Sequence, residues 1–193
     1  MSRGVSGLLP NRVHFAKLAH GLILDCGCGK GLFKQILETR GEVVGVDACK
    51  QNLMISGYKT RVLCSATHLP FKERCFDFVW ACALIEHIKE DCVQEVCTVG
   101  KKKIVFLTPN PYSPLNILNE LLGLGGWFST DTCPDHVRAY AITELKGYGK
   151  VYGDSCGVCR FYNLVPSFWK FFPWLSHTIF LVVDKQNENS FAQ

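Results

Sequence analysis

"GLILDCGCGKGLF", residues 21–33, joins a short apolar run to a glycine-rich loop. An apolar run ends in an acid, Asp25, and glycines then fall on alternate positions at Gly27, Gly29 and Gly31. A short apolar run bounded by turn residues reads as a parallel strand buried on both faces. Glycines directly after it make a loop that reaches positive φ without strain and lets ligand atoms approach the backbone. "KGLFKQILETR" (30–40) then sets Leu32, Phe33, Ile36 and Leu37 on one helical face, with Gly41 as its stop.

Working outward, the same alternation continues. "NRVHFAKLAH" (11–20) reads as a short helix ahead of the first strand. "EVVGVD" (42–47) is a second buried strand ending in an acid, and "ACKQNLMISGY" (48–58) another helix. "TRVLCSA" (60–66), "FDFVWACALIEHI" (76–88) and "KKKIVFLTPN" (101–110) supply three more strands, with a short helix over about 89–99. Beyond them come a helix near 114–122, a short helix over 142–149 with Thr143 at its N-cap, and final strands at 150–154 and 178–185. Alternating strands and helices demand crossover connections. The predicted fold is therefore α/β, a doubly wound, mostly parallel Rossmann-like sheet with helices on both faces and the last strand antiparallel at or near the edge. One domain spans 1–193, with 111–136 and 155–177 as acceptor-side insertions or a lid.

Composition sets the outer bounds. The chain has 193 residues, enough for one sizeable core. A net charge of +4, spread along the chain, gives no argument for nucleic acid, and Lys101-Lys102-Lys103 reads as a solvated strand entrance. The start has no sustained apolar core or small-residue cleavage site, so no signal peptide is read and the expected location is cytoplasmic. Eleven cysteines, an odd number, several inside apolar runs, are expected to be mostly reduced and buried. Cys156-x-x-Cys159 is one pair without a second. Cys133, His136 or His177 could complete a tetrahedral set, but a lone pair is too little to assign a metal site, and none is assigned.

Three ligands compete for the glycine loop. A phosphate-cradling loop needs Lys followed by Ser or Thr, whereas Lys30 is followed by Gly31 and Leu32. A dinucleotide loop is GxGxxG, and this one is GxGxG. The third is S-adenosylmethionine, which brings a ribose, an adenine and a zwitterionic methionine end but no phosphate. Asp47 follows Gly27 by twenty residues, and a carboxylate accepts from two vicinal hydroxyls at once. Backbone N–H groups at the start of the helix after Gly31 favour the methionine carboxylate. Asp25 is placed either to order the loop or to meet the ligand's ammonium group.

"LILDCGCGKG" resembles the first motif of the class I S-adenosylmethionine-dependent methyltransferases, and "VVGVD" resembles their second, whose final acid takes the ribose hydroxyls. "CSATHLPFKERCFDFVWACALIEHI" (64–88) and "DHVRAYAITELKGYG" (135–149) resemble later segments of the type 11 branch, which includes quinone-biosynthesis enzymes. The resemblance covers about residues 12–150. It implies cofactor contacts at Asp25, Gly27, Cys28, Gly29, Gly31, Asp47, Ala48, Ser65, Ala66 and Ala81. Ser65-Ala66 stands where the family has Asp-Ala, so the adenine amine meets a hydroxyl without charge. Asp77 reads as structural.

Methyl transfer from a sulfonium is an in-line displacement that needs mainly alignment, and a base only where the acceptor must lose a proton. Candidate groups on the acceptor side are His87, His136 and Tyr140; His136-Val137-Arg138 is alternatively a loop anchor. "TPNPY" (108–112) follows the fifth strand and lacks one proline of the Asn-Pro-Pro-Tyr motif of amino-methylating nucleic-acid enzymes, so nucleic acid is set aside. "FYNLVPSFWKFFPWLSHTIFLVV" (161–183) carries eight aromatics. It caps the sheet and supplies the last strand, or forms an apolar lid or a peripheral membrane contact. The expected activity is methylation of a small-molecule acceptor. A cofactor-binding, non-catalytic module is the second reading, favoured by the roughly twenty residues ahead of the glycine loop.

Overall fold

The computed structural model describes residues 10–122, 135–154 and 171–185. Seven strands form one sheet, β1 (Gly21–Cys26), β2 (Gly41–Asp47), β3 (Thr60–Leu63), β4 (Phe76–Cys82), β5 (Gly100–Pro109), β6 (Lys150–Gly153) and β7 (Thr178–Asp184), in the order β3-β2-β1-β4-β5-β7-β6. β1 pairs in parallel with β2 and with β4, and β2 with β3. β7 is antiparallel to the edge strand β6. This is the doubly wound, mostly parallel arrangement expected, with the antiparallel pair at one edge.

The chain divides into two compact units. One comprises Met1–Cys82, Glu90–Val105 and Val183–Gln193; the other comprises Ala83–Lys89 and Phe106–Val182. In the first, Ile23, Leu24, Phe78 and Val79 are wholly buried on adjacent strands. Each such side chain stabilises the fold by about 1.5–3 kcal/mol relative to exposure. Helices α1 (Pro10–Ala16), α2 (Lys34–Glu38), α3 (Lys50–Ile55) and α4 (Val93–Val99) belong to this unit. α4 buries Val93, Val96 and Cys97, the i, i+3, i+4 spacing of one helical face. Phe33 meets Trp80 edge-on at 4.9 Å, fixing the entry of α2 over β4.

Several boundaries differ from expectation for identifiable reasons. α2 opens at Lys34, because residues 28–33 are spent in turns. Gly41 does not cap it but starts β2, where an added Cβ would lie 2.0 Å from the Gly21 carbonyl oxygen. Asp77 is structural, as read: it accepts from Leu22 N at 3.1 Å and pairs with Lys102 at 2.8 Å. Lys102 and Lys103, expected to be merely solvated, are thus in ion pairs, Lys103 with Asp184 at 3.5 Å.

In the second unit lie α5 (Pro114–Leu121) and α6 (Ile142–Leu145). The N-cap of α6 is Ala141 and not Thr143. "TIFLVV" is buried along β7, the strand reading of the aromatic segment. Residues 123–134 and 155–170, most of the two expected insertions and Cys133, Cys156 and Cys159 with them, lie outside the described residues. Of the eight described cysteines, Cys26, Cys28, Cys92 and Cys97 are buried and Cys49 is exposed. No described helix is long and apolar enough to cross a membrane.

Candidate active site

The site in the first unit is built by register. Cys26 and Val46 form the last pair of the β1–β2 ladder. The residues that follow, the glycine loop and Asp47, therefore leave the sheet side by side at its carboxyl end. Gly27, Gly29 and Gly31 all take positive φ, as the alternate glycines require. Asp47 ties the loop down: one carboxylate oxygen accepts from Gly29 N at 2.8 Å, the other from Cys49 N at 2.8 Å. Each oxygen has two acceptor sites, so each can still take a hydroxyl. An added Cβ at Gly29 would meet nothing within 4 Å, so open space stands over the middle of the loop beside Asp47.

Asp25 is 3% exposed and accepts the Tyr58 hydroxyl at 2.6 Å. Gly45 lies opposite Asp25 in the ladder, and the Tyr58 ring rests on it; a Cβ at Gly45 would come within 2.5 Å of that ring. Burial lifts the Asp25 carboxyl to about 7, against the lowering pull of the Tyr58 bond and with a further push from Asp47. Tyr58 was missed in the sequence, although the glycine inside "VVGVD" was the available signal that something large crosses that strand.

Cys28, one of the expected cofactor contacts, turns its side chain inward onto Leu53 and Tyr58, and burial pushes its thiol up to about 12. Its N–H donates to Val46 O at 2.8 Å and its carbonyl accepts from Gly31 N at 2.9 Å. Gly31 N donates to Cys28 O at 2.9 Å and Lys34 N to Gly31 O at 3.1 Å, so two of the N–H groups around the start of α2 close turns. Ser65 is exposed in a turn, its hydroxyl 2.8 Å from that of Thr67 and accepting Thr67 N at 3.2 Å. Ala48 is exposed, whereas Ala66 and Ala81 are buried small residues. Lys30 is exposed and forms no part of the Asp47 contacts.

An S-adenosylmethionine molecule fits this donor set at two points. The Asp47 oxygens retain acceptor capacity for a ribose diol, and the space over Gly29 admits a ligand that a side chain there would exclude.

The second unit holds a different cluster. A 3₁₀ turn, Ile85–His87, follows β4. Residues 135–138 fasten to it: Val137 N and Arg138 N both donate to Glu86 O, at 2.9 and 3.2 Å, and His87 Nδ1 lies 3.0 Å from Asp135 O. The rings of His87 and His136 meet edge-on at 4.8 Å. His136-Val137-Arg138 is thus a loop anchor, and it also brings His136 to His87. Tyr140 is 1% exposed, its ring 4.5 Å beneath the Arg138 guanidinium, which pairs with Glu144 at 2.9 Å.

Asn110 closes "TPNPY" as a structural residue. Its amide donates to Pro173 O at 3.1 Å and to Ser176 O at 2.9 Å, while its backbone N–H donates to His177 O at 2.7 Å. Both amide protons point to carbonyls, in keeping with the strand-stop reading of this stretch. His177, considered as a partner for the cysteine pair, is buried and bonded to Asn116.

Residues 24–107 match the family described as "Methyltransferase domain". The ubiquinone biosynthesis O-methyltransferase of Chromobacterium violaceum is 23% identical over 131 residues, 67% of this chain and 52% of that protein. The chain therefore spans about half the length of this curated relative. An S-adenosylmethionine-dependent methyltransferase from Archaeoglobus fulgidus superposes with a TM-score of 0.61 at 19% identity, covering 91% of this chain and 90% of that one. Another from Thermotoga maritima, described as a possible histamine N-methyltransferase, gives 0.64 at 16% identity, covering 90% and 86%. At such identities the likeness to the two solved structures is one of fold.

Proposed function

We propose that this chain, whose residues 24–107 carry a class I S-adenosylmethionine-dependent methyltransferase domain of the type 11 kind, methylates a small hydrophobic acceptor. The observation that carries the reading is Asp47, held by Gly29 and Cys49 with both oxygens still able to accept. In this proposal Asp47 takes the ribose hydroxyls and Ser65 the adenine amine. Gly27, Cys28, Gly29 and Gly31 shape the loop, Asp25 fixes it through Tyr58, and Ala48, Ala66 and Ala81 leave room for the cofactor.

S-adenosylmethionine, when bound, supplies a methyl group on a sulfonium. The chain's contribution is to hold the acceptor atom in line and to keep water away. Where the acceptor must lose a proton, His87, His136 or Tyr140 is the proposed base. A hydrophobic acceptor is supported by the aromatic segment ending in β7, whose Phe171 and Trp174 are 77% and 54% exposed. The name of the Chromobacterium relative, an O-methyltransferase of ubiquinone biosynthesis, points the same way. A cytoplasmic location and peripheral contact with a membrane belong to the same proposal.

The test is transfer of labelled methyl from S-adenosylmethionine to a panel of hydrophobic phenols and amines. Label in the organic extract, dependent on the protein and reduced in Asp47→Ala, is the expected result. Cofactor binding by calorimetry with no transfer to any acceptor would favour the non-catalytic module instead.

A further inference from the structure

We propose that Glu86, His87 and His136 form a binding site for a divalent transition-metal ion. One ligand atom from each residue lies within 4.8 Å of the others. An occupied site, with its ligand atoms about 2 Å from the ion, is somewhat tighter than this spacing, so loading draws the three side chains together.

The backbone already holds the two segments together. Residues 86 and 136 are far apart in sequence, but two N–H groups, those of Val137 and Arg138, donate to the single carbonyl of Glu86. The carbonyl of Asp135 can only accept, so the ring nitrogen facing it, His87 Nδ1, carries the proton. That leaves Nε2 of His87 with its lone pair. Metal-bound histidines are oriented in this way, through a ring N–H given to a carbonyl or carboxylate. Burial is graded across the cluster: Glu86 is 1% exposed, His136 intermediate and His87 exposed. An ion therefore has an entry path from solvent toward a carboxylate.

The donor set names the class of ion. Two imidazoles and a carboxylate, with no thiolate, suit zinc, cobalt, iron or manganese, and suit calcium or magnesium poorly. Three protein ligands leave positions open for water or an oxygen ligand. An occupied site uses the same imidazole lone pairs that a base would need, so at either histidine the two roles exclude each other. The site goes beyond the proposed methyl transfer, and testing it requires neither cofactor nor acceptor.

The experiment is titration of the full chain with Co²⁺ alone, followed by visible and near-ultraviolet absorption. The expected result is one equivalent bound with d–d bands and no thiolate-to-cobalt charge transfer, and binding weakened by about tenfold or more in His136→Ala. Glu86→Gln, at a buried position, is read only alongside a melting curve showing that it folds; His136→Ala carries the test by itself. A Cys156→Ser, Cys159→Ser double variant should bind Co²⁺ like the wild type. Absence of binding, a spectrum of thiolate ligation alone, or unchanged affinity in His136→Ala overturns the proposal.

Discussion

The carboxylate of Asp47 and the backbone N–H of Gly29 meet at 2.8 Å, so the acid that ends β2 holds the middle glycine of the loop that follows β1. The bond crosses between two strand ends that the β1–β2 register has set side by side. It makes Asp47 both a loop anchor and the group best placed for a ribose diol. Asp47→Ala should weaken S-adenosylhomocysteine binding by at least about a hundredfold, from the loss of two charge-assisted hydrogen bonds of about 1.5–3 kcal/mol each. Asp47→Asn, which keeps one acceptor oxygen, should fall between. Calorimetry on the three proteins checks the order, and a wild-type dissociation constant in Asp47→Ala would end the assignment.

Glycines 29 and 31 should separate when replaced. Both take positive φ, 52° and 79°. A Cβ at Gly31 lies 2.3 Å from the Ser56 carbonyl oxygen, whereas one at Gly29 meets nothing. Gly29→Ala should cost about 1–2 kcal/mol of stability, the penalty for left-handed backbone, yet abolish most cofactor affinity by filling the space over the loop. Gly31→Ala should cost more, because backbone must also move. Urea unfolding and calorimetry, run on both variants, read the two effects apart.

Asp25 gives the protein a pH dependence with a definite sign. Its carboxyl titrates near 7 in the folded chain, chiefly because it is buried, and near the ordinary 3.8 when unfolded. Between those values the folded state keeps a proton that the unfolded state has released. Its contribution to stability is thus full below about pH 4 and declines as pH rises through 7, by about 1.4 kcal/mol per unit. Asp25→Asn should flatten that part of the profile. Chemical unfolding of wild type and variant from pH 5 to pH 8 measures the difference, and parallel curves would refute it.

Tyr58→Phe removes the donor that favours ionised Asp25. The expected loss is about 1–3 kcal/mol at neutral pH, the cost of withdrawing one partner from a buried polar group. The midpoint of the pH profile should also move upward, which loss of packing alone would not produce.

Asn110→Asp tests the second unit. Two donors that face the carbonyls of Pro173 and Ser176 become a carboxylate facing the same oxygens. Destabilisation of about 3 kcal/mol or more is expected, read as a lower melting temperature. Asn110→Ala should cost less, since it introduces no charge.

Local pattern reveals the order of strands and helices, the glycine loop, the acid at the end of β2 and the structural character of Asp77 and "TIFLVV". All of these depend on periodicity and turn chemistry within a few residues, which local physics fixes. Long-range packing is what brings Tyr58 across Gly45 to Asp25, Asn110 onto Ser176, and the 135–138 segment onto Glu86 and His87. Those pairs stand 33, 66 and 48 residues apart. Their meeting depends on strand register and on where each crossover returns the chain, which no local pattern records. The course of the loop has the same long-range origin: the Cys28 N–H goes to Val46, the Gly29 N–H to Asp47, and Gly31 packs against Ser56.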